Sequence, residues 1–288
     1  MIIKYILPLT LSTYLFAIET IHSSISAYAE SKNYTGSKQK EDGAVYGIGA
    51  DLHYGNAEYK LTYEEGGANT VQPPMTKDLE NQKIFFRYGY KFDKRFKINL
   101  NYAAVLKDNI APTDGGIIGG GGFTYTFNKK LAFNLTGYFT DYDDFDVIQT
   151  DLRIDYKTKF DKVKVKFTSI TKHINVELDD ESAASPNYAQ NARSKYTTTA
   201  IKAHAHYNTY HLGAAIYFGQ RAFAIMQDGF KVQHHAMEFD RTYAIGGGKT
   251  FGPLVVRAQY IYQRATELPM SNEDVGVSTT RLIANYKF

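Results

Sequence analysis

Lys60, Arg87, Arg153, Lys166, Lys202, Arg257 and Arg281 each sit on the opposite parity to a local row of apolar residues. That spacing puts the cation on one face of a β-strand and the apolar row on the other. Ammonium and guanidinium groups gathered along one water-filled wall attract anions and repel cations. Lys91, Arg95, Lys97, Lys157, Lys159, Lys162 and Lys164 extend the same face, whereas Asp51, Glu58, Asp151, Asp155, Glu238 and Asp240 oppose them in smaller number. The alternative is that acids and bases pair along a solvated wall that selects little. Such a lining cannot be a dry core, because burying unpaired charge costs many kcal/mol. A water-filled lumen is therefore expected, with those cations lining a pore.

Other residues with chemical potential are fewer. His204, His206 and His211 share the polar parity, and a two-residue hairpin at Asn208-Thr209 would set His206 opposite His211. Imidazoles so placed bind transition metals or titrate near neutrality, though wetted wall residues have the same pattern. Asp141, Asp143, Asp144 and Asp146, then Glu177, Asp179, Asp180 and Glu181, form two acidic runs without the glycine-centred spacing of a calcium loop. They read as solvated loops, able to meet lipopolysaccharide through divalent ions. No G-x-S-x-G elbow, H-E-x-x-H helix or helix-opening G-x-G-x-x-G occurs. Gly119–Gly122 lies within a strand pattern and indicates close packing or a bend. No enzyme activity, cofactor, metal or nucleic-acid partner is expected.

The elements that must position these groups are strands. Tyr46, Ile48, Ala50 and Leu52 alternate with polar residues, as do Phe86, Tyr88 and Tyr90, then Leu152, Ile154 and Tyr156, then Leu254, Val256, Ala258 and Tyr260. The runs predict about 14 strands (12–16 admissible), beginning near Ser23–Tyr34 and ending on Gly276–Phe288. Short turns are expected at Gly55-Asn56, Asp93–Arg95, Asn128–Lys130, Asp161-Lys162, Asn208-Thr209 and Gly252-Pro253. Long connections are expected near 35–43, 64–80, 107–116, 140–146, 174–194, 219–234 and 264–276. Strict short–long alternation is how a transmembrane barrel is wired, with both termini on the short-turn, periplasmic side. Tyr54, Phe92, Phe127, Phe160, Tyr207, Tyr210, Phe251 and Phe288 border that side as an aromatic girdle. The chain carries no Cys, so thiolate metal sites and disulfides are excluded. Residues 1–17, a Lys4-led apolar stretch ending at Ala17, read as a secretory signal peptide ahead of a single 18–288 barrel domain.

The alternation, the girdle and the final aromatic strand together resemble Gram-negative outer-membrane β-barrel porins, especially the smaller monomeric kind with about 14 strands. The resemblance implies an all-β, closed antiparallel transmembrane barrel in the outer membrane. Its expected partners are lipid and lipopolysaccharide, and the barrel-assembly machinery through the C-terminal strand. It also implies passive diffusion of ions and small hydrophilic or anionic solutes. A substrate-specific channel for anionic sugars or organic acids, or a non-conducting surface barrel, are the other readings. The early start of the first strand leaves no amino-terminal plug, unlike fatty-acid transporters and energy-coupled receptors. A long loop such as 174–194 is expected to be able to fold inward and narrow the pore.

Overall fold

The computed structural model describes residues 22–73, 75–109, 113–178, 191–233 and 236–288. The expected signal peptide, Asp179, Asp180 and Glu181, and His234-His235 lie outside the described residues. The alternating runs form β1 (His22–Thr35), β2 (Lys40–Tyr54), β3 (Ala57–Thr70), β4 (Leu79–Lys91), β5 (Phe96–Asp108), β6 (Ile117–Thr126) and β7 (Leu131–Tyr142). They continue as β8 (Phe145–Phe160), β9 (Val163–Leu178), β10 (Lys195–Tyr207) and β11 (Tyr210–Arg221). After the short β12 (Ile225–Met226) and β13 (Lys231–Val232) come β14 (Met237–Phe251), β15 (Leu254–Glu267) and β16 (Asn272–Lys287). All but β12 and β13 join one closed antiparallel barrel of 14 strands, each paired with its sequence neighbour. The ring closes where β16 meets β1, from Ser24 opposite Lys287 to Thr35 opposite Gly276. Beyond that register Phe288 N donates to Ser23 O at 3.0 Å. Closure leaves no strand edge unpaired, which hydrocarbon surroundings demand. Among the described residues no helix is long and apolar enough to cross a membrane.

Parity decides which side chain faces where. Tyr46, Ile48, Leu61, Leu212, Ile245 and Leu282 are exposed on the outside, while their polar neighbours turn inward. In water such a coat of apolar rings and branched chains would drive aggregation; against lipid it is the stable surface. The hairpins at the aromatic end are tight for identifiable reasons. Gly55, Asp161, Asn208 and Gly252 take positive φ, which Gly, Asn and Asp tolerate at two-residue turns. In the longer turn Asp93 accepts hydrogen bonds from the backbone N–H of Arg95 (2.6 Å) and Phe96 (2.8 Å). Those N–H groups hold its carboxyl below the usual range. Asn128 caps the next such turn from Lys130 and Leu131 in the same way.

At the opposite end the expected alternation of short and long connections breaks at three places. The acidic stretch 140–146 is not a long loop: β7 and β8 run on to a turn at Asp143-Asp144, with Tyr142 opposite Phe145. Both rings are buried, 4.8 Å apart, and Phe145 lies 4.7 Å from Phe223. That apolar anchorage extends the ladder past the point where the sequence turns acidic. Asp141 and Asp146 thus become cross-strand partners rather than loop ligands. Likewise β1 and β2 extend to Thr35 and from Lys40, and β15 and β16 to Glu267 and from Asn272, so the outer connections are shorter than expected.

The glycine run falls on β6. A Cβ on Gly120 would come within 2.5 Å of the buried Tyr138 ring and one on Gly122 within 2.6 Å of the Leu135 carbonyl, while Gly119 faces open space and a Cβ on Gly121 would meet Leu100 at an ordinary 3.8 Å. Close packing is therefore the reason for half of the run. Gly120→Val is expected to lower barrel stability by about 1–3 kcal/mol through overpacking, while Gly119→Val leaves it nearly unchanged. Urea titration of the refolded barrel, followed by circular dichroism, checks both.

Candidate functional site: the barrel lumen

The largest departure from the sequence expectation lies inside. Between β11 and β14 the chain turns into the barrel and forms a small hairpin, Ile225 paired with Val232 and Met226 with Lys231. A 3-10 turn, Gln227–Gly229, forms its tip. One side packs on apolar lumenal residues: Phe85, Ala103, Ile118 and Tyr138 with Ile225 and Val232. At its root Ala222, Phe223 and Ala224 pack with Tyr142, Phe145, Val147, Ile174 and Tyr196. The lumen is therefore not water-filled throughout, contrary to the expectation from its charged lining. The lumenal parity of β4 to β9 carries apolar residues as well as charges, and the hairpin supplies their apolar partners. It is residues 222–233 that occupy the lumen; much of 174–194 lies outside the described residues.

Polar contacts fix the tip. Arg87 Nη2 donates to the Asp228 carbonyl at 2.5 Å, and Arg153 Nη1 to the Asp228 carboxylate at 2.7 Å. Gln149, itself buried, donates to the Ile225 carbonyl and accepts from the Ile225 N–H, both at 2.8 Å. Lys172 Nζ reaches the same carbonyl at 2.9 Å and pairs with Asp151. Lys231 lies 2.7 Å from Glu30, and Arg281 Nη1 donates to Gln227 at 3.2 Å. Lys60 and Arg87 lie over the Phe230 ring, at 4.8 and 5.5 Å from its centroid.

The named cations thus divide. Lys60 is 3.5 Å from Asp51, Arg153 is 3.1 Å from Asp155, Lys166 is 3.2 Å from Asp155, and Arg281 is 3.3 Å from Glu30. Lys97 pairs with Glu58. Arg87 spends its donors on Asn101 and the hairpin. For Lys202 and Arg257, on β10 and β15, no carboxylate lies within 4 Å among the described residues; Lys202 instead sits 5.3 Å from the Tyr217 ring centroid. Paired charges largely cancel beyond a few ångströms, so beside the cavity Lys202 and Arg257 keep field to spare, Lys202 acting on Asp228 only at longer range. Beside that wall and the hairpin remains a cavity of about 830 Å³, lined by Lys60, Lys202, His204, Arg257 and Arg281, with Tyr28 and Phe230.

The histidines meet as the register requires. His206 pairs with His211 across the hairpin, their Nδ1 atoms 3.1 Å apart and their centroids 4.5 Å apart. One Nδ1 must donate and the other accept, so the two rings cannot both be charged in this geometry. His204 lies 5.8 Å from His211, and His211 Nε2 is 3.0 Å from Thr250 Oγ1. No group of three or more metal-binding side chains occurs among the described residues. Phe92, Phe127, Phe160, Tyr207, Tyr210, Phe251 and Phe288 are exposed at the short-turn end, with Tyr54 half-buried there. Lys249 lies 5.1 Å from both the Tyr210 and the Phe251 ring centroids.

A buried charge network was missed by sequence reasoning. Lys83 and Glu64 lie 3.1 Å apart with side chains 2% exposed. Tyr28 donates to Glu64 at 2.7 Å across Gly47, and Lys83 donates to Asn81 at 2.7 Å. Parity contained the signal, since Glu64 continues Lys60 and Thr62, and Lys83 precedes Phe85 and Arg87. Gln149 likewise shares the inward parity of Asp151 and Arg153 on β8, whereas Asp228 had no such signal, because 222–236 shows no strand alternation.

No protein-family model and no curated protein sequence matches this chain. Solved structures share its fold. A bacterial polysaccharide outer-membrane secretin is similar with a TM-score of 0.60 at 11% identity, over 92% of this chain and 98% of that one. The Ralstonia pickettii toluene transporter TbuX is similar with a TM-score of 0.54 at 10% identity, over 94% of this chain and 90% of that one. The likeness is one of fold, that of outer-membrane β-barrels, and the resemblance drawn from the sequence holds at that level.

Proposed function

We propose that this chain is an outer-membrane channel through which ions and small hydrophilic solutes diffuse passively. Its anion preference is weak and comes from one wall of the lumen. The observation that carries the reading is the cavity left between the inserted hairpin and the β10–β15 wall, where among the described residues no carboxylate lies within 4 Å of Lys202 or Arg257. A lipid-facing apolar coat and a lumen with polar, hydrated surface are what a solute path across a membrane needs. Lipid and lipopolysaccharide are its surroundings in this reading. Residues 1–17 act as a cleaved signal, and β16 serves as the strand that the assembly machinery engages.

The test is single-channel current from refolded protein in a planar bilayer under a KCl gradient. A reversal potential of anion sign is expected. The double substitution Lys202→Gln with Arg257→Gln is expected to move it to zero or to cation sign. Arg153→Gln changes it less, because Arg153 stands against the hairpin and outside the lining of the cavity. Silence from a correctly folded barrel would end the channel reading and favour a surface barrel.

A further inference from the structure

Lys202 and Arg257 stand over a strip of wall with almost no side chains. On β11 the inward positions after His211 are Gly213 and Ala215, and on β14 they are Ala244, Gly246 and Gly248. The register aligns these in rows. His206, His211, Gly248 and Arg257 form one row, and His204, Gly213, Gly246 and Gln259 form the next. Lys202, Ala215 and Ala244 form a third. The result is a shallow recess with a backbone floor and a rim of basic groups.

Glycine also sets how that rim leans. A Cβ on Gly248 would lie 2.6 Å from Cγ of Arg257, so the Arg257 stem lies flat across Gly248, towards β11. A Cβ on Gly213 would lie 3.6 Å from Cδ2 of His204, so that imidazole leans over β11 from the other side. His211 stacks against His204 between them. His211 and Arg257 are two strands apart in one row, so their backbones are separated by roughly 10 Å at ordinary strand spacing. Side chains inclined into that gap leave room for one small charged group.

We propose that this recess binds an oxyanion, the carboxylate or phosphate of a permeating solute, held between Arg257 and the His204–His211 pair with Lys202 at its edge. The inference rests on the channel reading and adds a solute class to it. A guanidinium presents a planar fork matched to two oxygens of such a group, and the His204 imidazole N–H adds a third donor, His211 backing it with both nitrogens engaged by His206 and Thr250. Lys202, as a point charge beside Tyr217, supplies long-range attraction rather than geometry. Lys60, Arg87, Arg153 and Lys166 do not compete, because acids or the hairpin engage them, and Lys91, Lys157, Lys159 and Lys164 lie outside the lining of the cavity.

Calorimetric titration of the refolded full chain in detergent with inorganic phosphate, and separately with succinate, tests the site without relying on conduction. Saturable binding of either anion is expected, and which of them binds identifies the phosphate or carboxylate source. Arg257→Gln should weaken it about tenfold or more, the loss of a bidentate charged contact. Lys202→Gln should weaken it by a smaller factor, and Lys107→Gln, at the far rim beside Glu80, should leave it unchanged. Saturating block of chloride current by the same anion, lost in Arg257→Gln, would agree. Absence of saturable binding of either anion to the folded barrel, or binding indifferent to Arg257→Gln, overturns the site even if the channel conducts. Binding that persists in a barrel carrying no current would keep the site and remove the channel reading.

Discussion

Replacing residues 224–233 with a short glycine-serine linker is expected to raise single-channel conductance roughly two- to fourfold, because a lumen of this strand number is wide once emptied. The barrel should survive the change, since β12 and β13 pair only with each other and take no part in the closed ladder. Unchanged circular dichroism, with the larger current, would establish the hairpin as the constriction. Equal currents with and without it would mean that ions pass elsewhere. A point substitution separates the contacts that hold it. Asp228→Asn removes one partly solvated ion pair, worth about 1 kcal/mol or less, and Arg87 still grips the Asp228 backbone carbonyl. Gln149→Ala acts differently, because it removes two buried hydrogen bonds to Ile225 at once. The orphaned N–H alone costs about 1–3 kcal/mol. Gln149→Ala is therefore expected to make the current flicker between two levels, while Asp228→Asn leaves it steady.

Lys83→Met is expected to destabilise the barrel by about 3–5 kcal/mol, measured as a shift of the urea midpoint, by leaving the Glu64 carboxylate buried without its cation. Tyr28 alone cannot compensate, since one neutral hydroxyl donor replaces little of an ammonium charge. Adding Glu64→Gln to Lys83→Met should restore most of the loss, because no full charge then remains in the buried site. A double variant as unstable as the single one would show that the packing of the Lys83 stem, rather than the charge pair, is what matters.

Sequence alone determined the class, the number of strands and which parity faces inward. A barrel wall one residue thick writes each choice of environment into alternate positions, so lipid and lumen are both legible without a partner. The tight turns were legible too, because positive φ and backbone capping select Gly, Asn and Asp locally. What alternation could not encode was the interior. Residues 222–236 have no periodic pattern, and the place of 222–233 is fixed by contacts with β4, β5, β8 and β9, distant in the chain. The same holds for charge. Lys202 and Arg153 look equivalent in sequence, yet Arg153 meets Asp155 and Asp228 while Lys202 faces a floor of small residues. Pairing is a property of neighbours across strands and across the lumen, so only the tertiary structure decided which cations are left to act on a solute.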